Sequence, residues 1–307
     1  MKNKRLLFLF LGISCFLQAQ ESIDLLTLSG RYGIPQGLEE DLPGKATETG
    51  ALVNLKVPVV FSDKTIWYSE LSYVWSHVEF DREMPEGTAD PINLNGFILQ
   101  TGLVQTIDET RKIHFLFIPR HMSDFHPTGS DAWQFGAVGL FEKRFNDRLM
   151  MRFGALYNNE FFGPFVQAYV YLDWKISDKW TIFGLFPTWA KVNYQATERL
   201  SLGFSEFGLI TSYRLGTPVY KGDYIERRSI DLTLFARYRL FGNFHAEGRA
   251  GYAMSREYGQ YGKDDKVDFR FSIITFGDDR IRKNVLFNSG PILNLRLVYN
   301  LPLDAAN

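Results

Sequence analysis

The segment "RHMSDFHPTGSD", residues 120–131, holds the side chains best suited to chemistry. His121, Asp124 and His126 are of the types that bind zinc or act in acid–base catalysis, and Ser123 or Ser130 could pair with a histidine as a nucleophile. Their spacing matches no helix-borne zinc motif, and the serine, aspartate, glycine and proline content is typical of a surface loop. We therefore predict an outer loop, with no metal ligand and no catalytic residue.

Two acidic stretches raise a separate question about cations. "KDD" at 263–265 and "GDD" at 277–279 offer the hard oxygen ligands that calcium prefers. Neither has the spacing of a calcium-binding loop, so solvated turns are the simpler interpretation. We predict no cofactor for this protein.

The elements that would position these side chains alternate with a two-residue period. In "ILNLRLVYNL", residues 292–301, Leu293 and Leu295 fall on one face, while Asn294 and Arg296 fall on the other. This pattern predicts β-strands with one apolar and one polar face. Clear alternation covers 53–61, 149–158, 165–176, 229–240 and 244–255, and weaker strand-like patterns cover 66–80, 94–107, 112–120, 132–144, 180–191 and 201–213.

The connections between these runs alternate in length, which favours a membrane barrel over a soluble sandwich. Short polar turns lie at 62–65, 108–111, 145–148, 177–180 and 241–243, and longer segments at 81–93, 121–131 and 257–265. Outer-membrane barrels have short periplasmic turns and long outer loops, and several runs reach the 9–11 residues that a tilted strand needs to cross a bilayer. We predict an all-β, antiparallel, transmembrane up-and-down barrel of about 12 strands. Ten or fourteen also fit, because 215–228 and 267–277 do not reveal whether they belong to the wall.

The N-terminus predicts export. Lys2, Lys4 and Arg5 precede an apolar run at 6–16, which is typical of a secretory signal and too short for a membrane helix. We predict a signal peptide over 1–19 and a barrel over 20–307, located in the outer membrane. Cys15, the only cysteine in the sequence, falls within the signal.

The polar faces carry an excess of basic side chains. In the predicted barrel they face the interior, where they form either a salt-bridged filling or a narrow pore that favours anions. The net charge of −1 gives no basic surface for nucleic acid, which leaves outer-membrane lipid as the expected partner. The predicted interior residues are Lys56, Glu70, Arg152, Asp173, Lys175, Asp231, Arg237, Arg239, Glu247, Arg249 and Arg296.

With these features the chain resembles the Gram-negative outer-membrane β-barrels, specifically small barrels described only as domains of unknown function. The best local match is "NSGPILNL", in which Asn288, Gly290, Leu293 and Leu295 fit a barrel-assembly signal. The resemblance therefore implies the barrel-assembly machinery as a partner. It departs at the end, where the chain continues through "PLDAAN" beyond the expected terminal aromatic residue, and it implies no known reaction.

Three hypotheses follow. The first is a non-enzymatic outer-membrane barrel with a structural, binding or narrow-pore role. The second is a rim hydrolase acting on lipid or peptide, in which Asp124 and His126 would need acidic partners such as Asp81 or Asp90; the local signatures of outer-membrane phospholipases and omptin-type proteases are not recognisable. The third is a soluble exported β-protein, in which the apolar faces would form a shared core.

Overall fold

The computed structural model describes residues 22–39, 42–126 and 129–302. The predicted signal peptide, residues 1–19, lies outside the described residues. The described part is mostly β-strand, with two short 3-10 turns at Gly129–Ala132 and Pro218–Tyr220. In these ranges, no helix has the length and apolar character needed to cross a membrane.

The described chain forms sixteen strands. They are β1 (Ser22–Gly37), β2 (Lys45–Ser62), β3 (Thr65–Phe80), β4 (Ile92–Asp108), β5 (Arg111–Ser123), β6 (Trp133–Asn146), β7 (Leu149–Glu160), β8 (Gly163–Lys175), β9 (Trp180–Phe186), β10 (Trp189–Gln195), β11 (Leu200–Arg214), β12 (Tyr224–Phe241), β13 (Phe244–Tyr261), β14 (Phe269–Phe271), β15 (Ile274–Phe276) and β16 (Gly290–Pro302).

Fourteen of these strands close into a barrel. Each strand from β1 to β13 pairs antiparallel with the next, and β16 pairs with both β13 and β1. The strands β14 and β15 form a separate hairpin, which adds to the upper end of β8 at Phe165 and Val166. The predicted all-β antiparallel barrel is therefore confirmed, with a strand number at the upper end of the predicted range.

The favoured count of twelve was two strands too low, for reasons visible in the sequence. Strand β1 escaped prediction because a bulge between Asp24 and Leu26 shifts its alternation. The segment 180–191, taken as one strand, contains two strands that reverse at Pro187 and Thr188. The segment 267–277 does not add to the count, because it forms the β14–β15 hairpin and contributes no wall strand.

The outer surface is apolar between two belts of aromatic side chains. Leu293 and Leu295 lie on it with 48% and 75% of their surface exposed, and no second sheet covers them. One belt includes Tyr32, Phe97, Trp133, Tyr157 and Tyr252, and the other includes Phe61, Trp67, Trp174, Trp180, Tyr238 and Phe241. An apolar band flanked by aromatic belts is typical of a barrel in a lipid bilayer.

The two ends of the barrel differ in the length of their connections. At one end, which we call the short-turn end, two- to four-residue turns join β2–β3, β4–β5, β6–β7, β8–β9, β10–β11 and β12–β13. At the other end, the loop end, lie the segments 38–39, 42–44, 81–91, 124–126, 129–132, 215–223 and 262–289, together with the tight turn after β7. The turn after β9 lies lower in the wall, because Phe186 at the end of β9 pairs with Val170. The sorting of loops by parity agrees with the sequence pattern.

Candidate functional site

The barrel encloses an interior cavity of about 1720 Å³. Exposed turn residues such as Arg148, Asp178 and Lys179 contribute to its lining, so the cavity is open at the short-turn end. It reaches upward between the strands to Met122 and Phe165. The lower part of the interior is therefore accessible to solvent, as a binding site or a pore would require.

The loop end is closed by a buried apolar cluster. There β11, still paired with β12, also reaches β5, where Arg214 pairs with Ser123, although β5 and β11 are not neighbours in the wall. Leu94, Phe162 and Ile225 in this cluster have no exposed surface. The interior is thus occluded at one end and hollow at the other.

The charged wall of the cavity centres on two buried carboxylates. Glu48 accepts hydrogen bonds from Arg31 (3.0 Å), from Arg227 (3.0 Å) and from the Tyr258 hydroxyl (2.7 Å). Arg256 lies 3.3 Å from the other oxygen of Glu48. Several cations around one desolvated carboxylate form a network in which losing one member leaves the others uncompensated.

Glu247 organises the second network, nearer the open half. It accepts hydrogen bonds from Lys191 (3.0 Å), Arg249 (2.6 Å) and Arg296 (2.7 Å). Arg237 lies 3.9 Å away and pairs with Asp24 at 2.7 Å. Positive charges therefore outnumber negative charges in this cluster.

The same imbalance holds for the cavity as a whole. Among the described residues that line it, eighteen are lysine or arginine and ten are aspartate or glutamate. Adding the buried carboxylates of Glu48, Glu226 and Glu247 still leaves five more cations than anions. Because the whole chain has a net charge of −1, basic groups are concentrated in the interior.

The opposite wall of the cavity has apolar and aromatic patches between its charged groups. Leu116, Ile118 and Val138 pack together on the inner face of β5 and β6. Closer to the short β9–β10 hairpin, Trp189 contacts Phe183, with ring centroids 6.1 Å apart. The interior is thus amphipathic, with apolar and aromatic patches beside ionic groups.

Ten of the eleven predicted interior residues line this cavity. The exception is Glu247, which is buried behind the lining and holds three of the cations. Sequence reasoning missed Arg31, because β1 was not recognised, and Lys191, because the stretch 180–191 was taken as one strand without clean alternation. It also missed Glu48 and Arg256, which lie above the stretches with clear alternation.

The four residues of the predicted assembly signal lie at the loop end of β16. Asn288 precedes the strand and donates its backbone N–H to Gly37, and Gly290 begins the strand. Leu293 and Leu295 point outward. Their role in assembly stays a prediction.

The histidine-containing loop is structural where it is described. Asp124 is buried and accepts hydrogen bonds from the backbone N–H groups of Gly216 (3.0 Å) and Thr217 (3.2 Å). His121 instead packs against Trp133, with ring centroids 5.4 Å apart. Among the residues that the structure describes, no group of three or more histidine, cysteine, aspartate or glutamate side chains could hold a metal ion.

The acidic partners that a rim hydrolase would need are engaged elsewhere. Asp81 accepts a hydrogen bond of 2.6 Å from the backbone of Lys45, and Asp90 accepts one of 3.2 Å from that of Met84. The arrangement around Asp124 therefore joins two loops and brings no second acid to His126.

The long segment 262–289 is anchored on the barrel by a buried carboxylate. Glu226 accepts hydrogen bonds from Arg270 (2.5 Å) and Arg280 (2.6 Å). Arg280 also donates to Asp278 at 2.8 Å, and these hydrogen bonds hold the pKa of the Asp278 carboxyl below its usual value. Ion pairs thus hold the β14–β15 hairpin against the wall.

A family model described as "Domain of unknown function (DUF6268)" matches residues 121–290, more than half of the chain. The chain belongs to the DUF6268 family. The match runs from β5 to the first residue of β16, so this family region includes the β14–β15 hairpin and most of the charged wall. No curated protein matches the sequence.

The solved structures that are similar to this DUF6268 protein are barrels, and their sequence identity to it is low. The COG4313 outer membrane channel from Pseudomonas putida F1 is 10% identical, with a TM-score of 0.45, over 92% of this chain and 97% of that chain. The translocator domain of the autotransporter NalP from Neisseria meningitidis is 10% identical, with a TM-score of 0.36, over 89% and 87%. The NanC porin is 10% identical, with a TM-score of 0.34, over 89% and 98%. Likenesses this remote carry no information about a solute.

Proposed function

We propose that this DUF6268 protein is a non-enzymatic outer-membrane barrel whose interior is a chamber for small anions. The apolar outer band, the aromatic belts and the closed wall support a place in a bilayer. By the usual orientation of bacterial barrels, the short turns face the periplasm. The chamber is then open to the periplasm and closed towards the outside.

The observation that carries this proposal is the excess of cations in the cavity lining. Lys56 and Arg239 both line the cavity, and neither has an ion-pair partner within 4.0 Å among the described residues. Uncompensated cations in a partly enclosed site attract anions more strongly than surface cations do. A salt-bridged filling alone would need no such excess.

Binding of pyrenetetrasulfonate, a polyanion that does not cross membranes, tests the proposal. Fluorescence anisotropy with the refolded barrel should detect binding that weakens as salt is raised. Lys56→Gln combined with Arg239→Gln should weaken binding about thirty-fold, since each charge contributes on the order of 1 kcal/mol in a partly solvated site. The matched control is Lys221→Gln with Lys266→Gln, which removes the same charge from loops at the other end. Equal effects of the two variants, or no binding by the wild type, would refute the chamber.

Conductance separates a chamber from a pore. Because buried apolar residues close the loop end, the refolded protein in a planar bilayer should give no discrete steps of conductance. Regular steps of conductance, with a reversal potential that favours chloride, would refute the closed chamber and show that the interior is a narrow anion pore.

A further inference from the structure

The wall of the barrel has a notch above the β9–β10 hairpin. Strand β8 begins at Gly163 but pairs with β9 only from Val170. Strand β11 continues to Arg214 but pairs with β10 only as far as Phe207. Above the β9–β10 hairpin, the only described strand that pairs with this edge of β8 is β14, at Phe165 and Val166. The facing edge of β11 has no strand partner from Gly208 up to the contact of Arg214 with Ser123.

The cavity continues through this notch to the outside of the wall. Its lining includes inward-facing Ser205, Phe207 and Asp231, and also Glu206 and Ile230, which alternate with them and point outward. The tip of the β14–β15 hairpin, Ser272 and Ile273, lines the same cavity, so the cavity reaches the gap between this hairpin and β11. The notch is thus a lateral window in the described part of the barrel.

The window lies at the height of one aromatic belt. On β8, Val166 pairs with Tyr157 of that belt on one side and with Phe271 of the β14–β15 hairpin on the other. The hairpin turn at Ser272 and Ile273 borders the cavity, and 78% of the Ile273 side chain is exposed. An exposed apolar hairpin at this height is suited to the boundary between headgroups and acyl chains.

Directly inside the window, the cavity has an aromatic patch next to cations. Trp189 contacts both Phe183 and Tyr171, with ring centroids 6.1 Å apart in each case. The Arg152 guanidinium stacks 4.4 Å from the centre of the Tyr171 ring. Such a site matches a molecule with an apolar chain and an anionic head.

We propose that the window admits single-chain anionic amphiphiles from the outer leaflet, with the chain against the aromatic patch and the head among the interior cations. This inference rests on the proposed anion chamber and names the class of its ligand. The charge of the ligand follows from the basic excess of the lining, and its chain follows from the apolar patch and the opening towards lipid.

Trp189 provides an internal reporter, because it points into the cavity while Trp67, Trp75, Trp133, Trp174 and Trp180 alternate onto the outer face. With these five replaced by phenylalanine and the protein in vesicles, 12-bromododecanoate should quench Trp189 saturably. The neutral 12-bromododecanol should quench it at least ten-fold less effectively. Phe207→Ser should weaken the saturable quenching about ten-fold, because it removes a large apolar contact.

A charge at the lip of the window tests the route. Ile273→Asp should slow the quenching by 12-bromododecanoate several-fold, whereas Ile281→Asp, at an equally exposed position of the same loop, should not. Neither change touches the core, so both variants should fold. Equal quenching by the acid and the alcohol, or no slowing by Ile273→Asp, would overturn the inference.

The two proposals fail in different ways. If pyrenetetrasulfonate binds but 12-bromododecanoate does not quench Trp189, the amphiphile proposal is refuted and the anion chamber stands. If neither probe binds, both are refuted.

Discussion

The Nζ atom of Lys191 on β10 lies 3.0 Å from the Glu247 carboxylate on β13, although β11 and β12 stand between these strands in the wall. The contact therefore crosses the interior. It also makes Glu247 the only carboxylate within hydrogen-bond reach of Lys191, Arg249 and Arg296 together in the described network. The negative charge of Glu247 sets the charge of the open half of the chamber.

Glu247→Gln should therefore strengthen anion binding. Neutralising the carboxylate leaves three cations less compensated, and we expect pyrenetetrasulfonate to bind about five-fold more tightly, which corresponds to about 1 kcal/mol. Binding should also depend more steeply on salt. Glu86→Gln, in an exposed loop at the other end, is the matched control. Weaker binding by a variant that still shows the heat-modifiable gel mobility of a folded barrel would contradict the proposed role.

Leu295→Arg should destabilise the barrel in lipid. Leu295 is 75% exposed and lies four residues from both Pro291, the partner of Tyr252 in one belt, and Tyr299 at the other end. An arginine at the middle of the lipid-facing wall costs about 2–4 kcal/mol, which should lower the midpoint of urea unfolding in vesicles.

The control for this change is Ile281→Arg. Ile281 is 78% exposed but lies in the loop 262–289, so its replacement should change the free energy of unfolding by less than about 0.5 kcal/mol. If the two variants unfolded at the same urea concentration, the outer face would not be in lipid.

Asp124→Ala should loosen the two loops that Asp124 joins. It should not act through hydrolysis of lipid or peptide, because we propose a non-enzymatic protein. Asp124 accepts backbone hydrogen bonds from Gly216 and Thr217, and their loss leaves buried donors unsatisfied at about 1–3 kcal/mol. Limited proteolysis within 215–223 should become about ten-fold faster. His126→Ala should leave this rate nearly unchanged, because 55% of the His126 side chain is exposed. Hydrolysis of lipid or peptide that depended on His126 would instead favour the rim-enzyme hypothesis.

The anchoring of the 262–289 segment should depend on pH through Asp278. Its pKa in the folded protein is below the ordinary value of about 3.8, so its ion pair with Arg280 stabilises the segment above that pH and is lost as the pH falls through the lowered pKa. A spin label on Ile281→Cys should be more mobile in Asp278→Asn than in the parent at neutral pH. The two should converge in acid, and a difference that persisted there would exclude Asp278 as its cause.

The sequence was sufficient to predict the class of fold, because strand alternation is imposed by the lipid on one face and the interior on the other. Leu293 and Arg296 fall on opposite faces for this reason. The number of strands was harder to predict, because a bulge or a tight turn changes the alternation over only a few residues. The bulge near Asp24 hid β1, and the turn at Pro187 divided a segment without changing its apolar character.

The candidate site was predictable only in part. Alternation indicated that Arg249 and Arg296 share a face, but could not indicate that Glu247 holds both together with Lys191 from a distant strand. The window was not predictable, because it depends on how far neighbouring strands extend past one another. The apolar character of both faces of 182–186 was the one available signal, and it marks the aromatic patch inside the barrel.

The seam between β1 and β16 has a consequence for biogenesis. Ser22 pairs with Pro302, 280 positions later, so the first described strand has one unpaired edge until nearly the whole chain has been synthesised. An open edge of this length is prone to aggregation, and contacts so distant in sequence form slowly. Interrupting translation before β16 should therefore yield aggregates instead of a smaller cylinder.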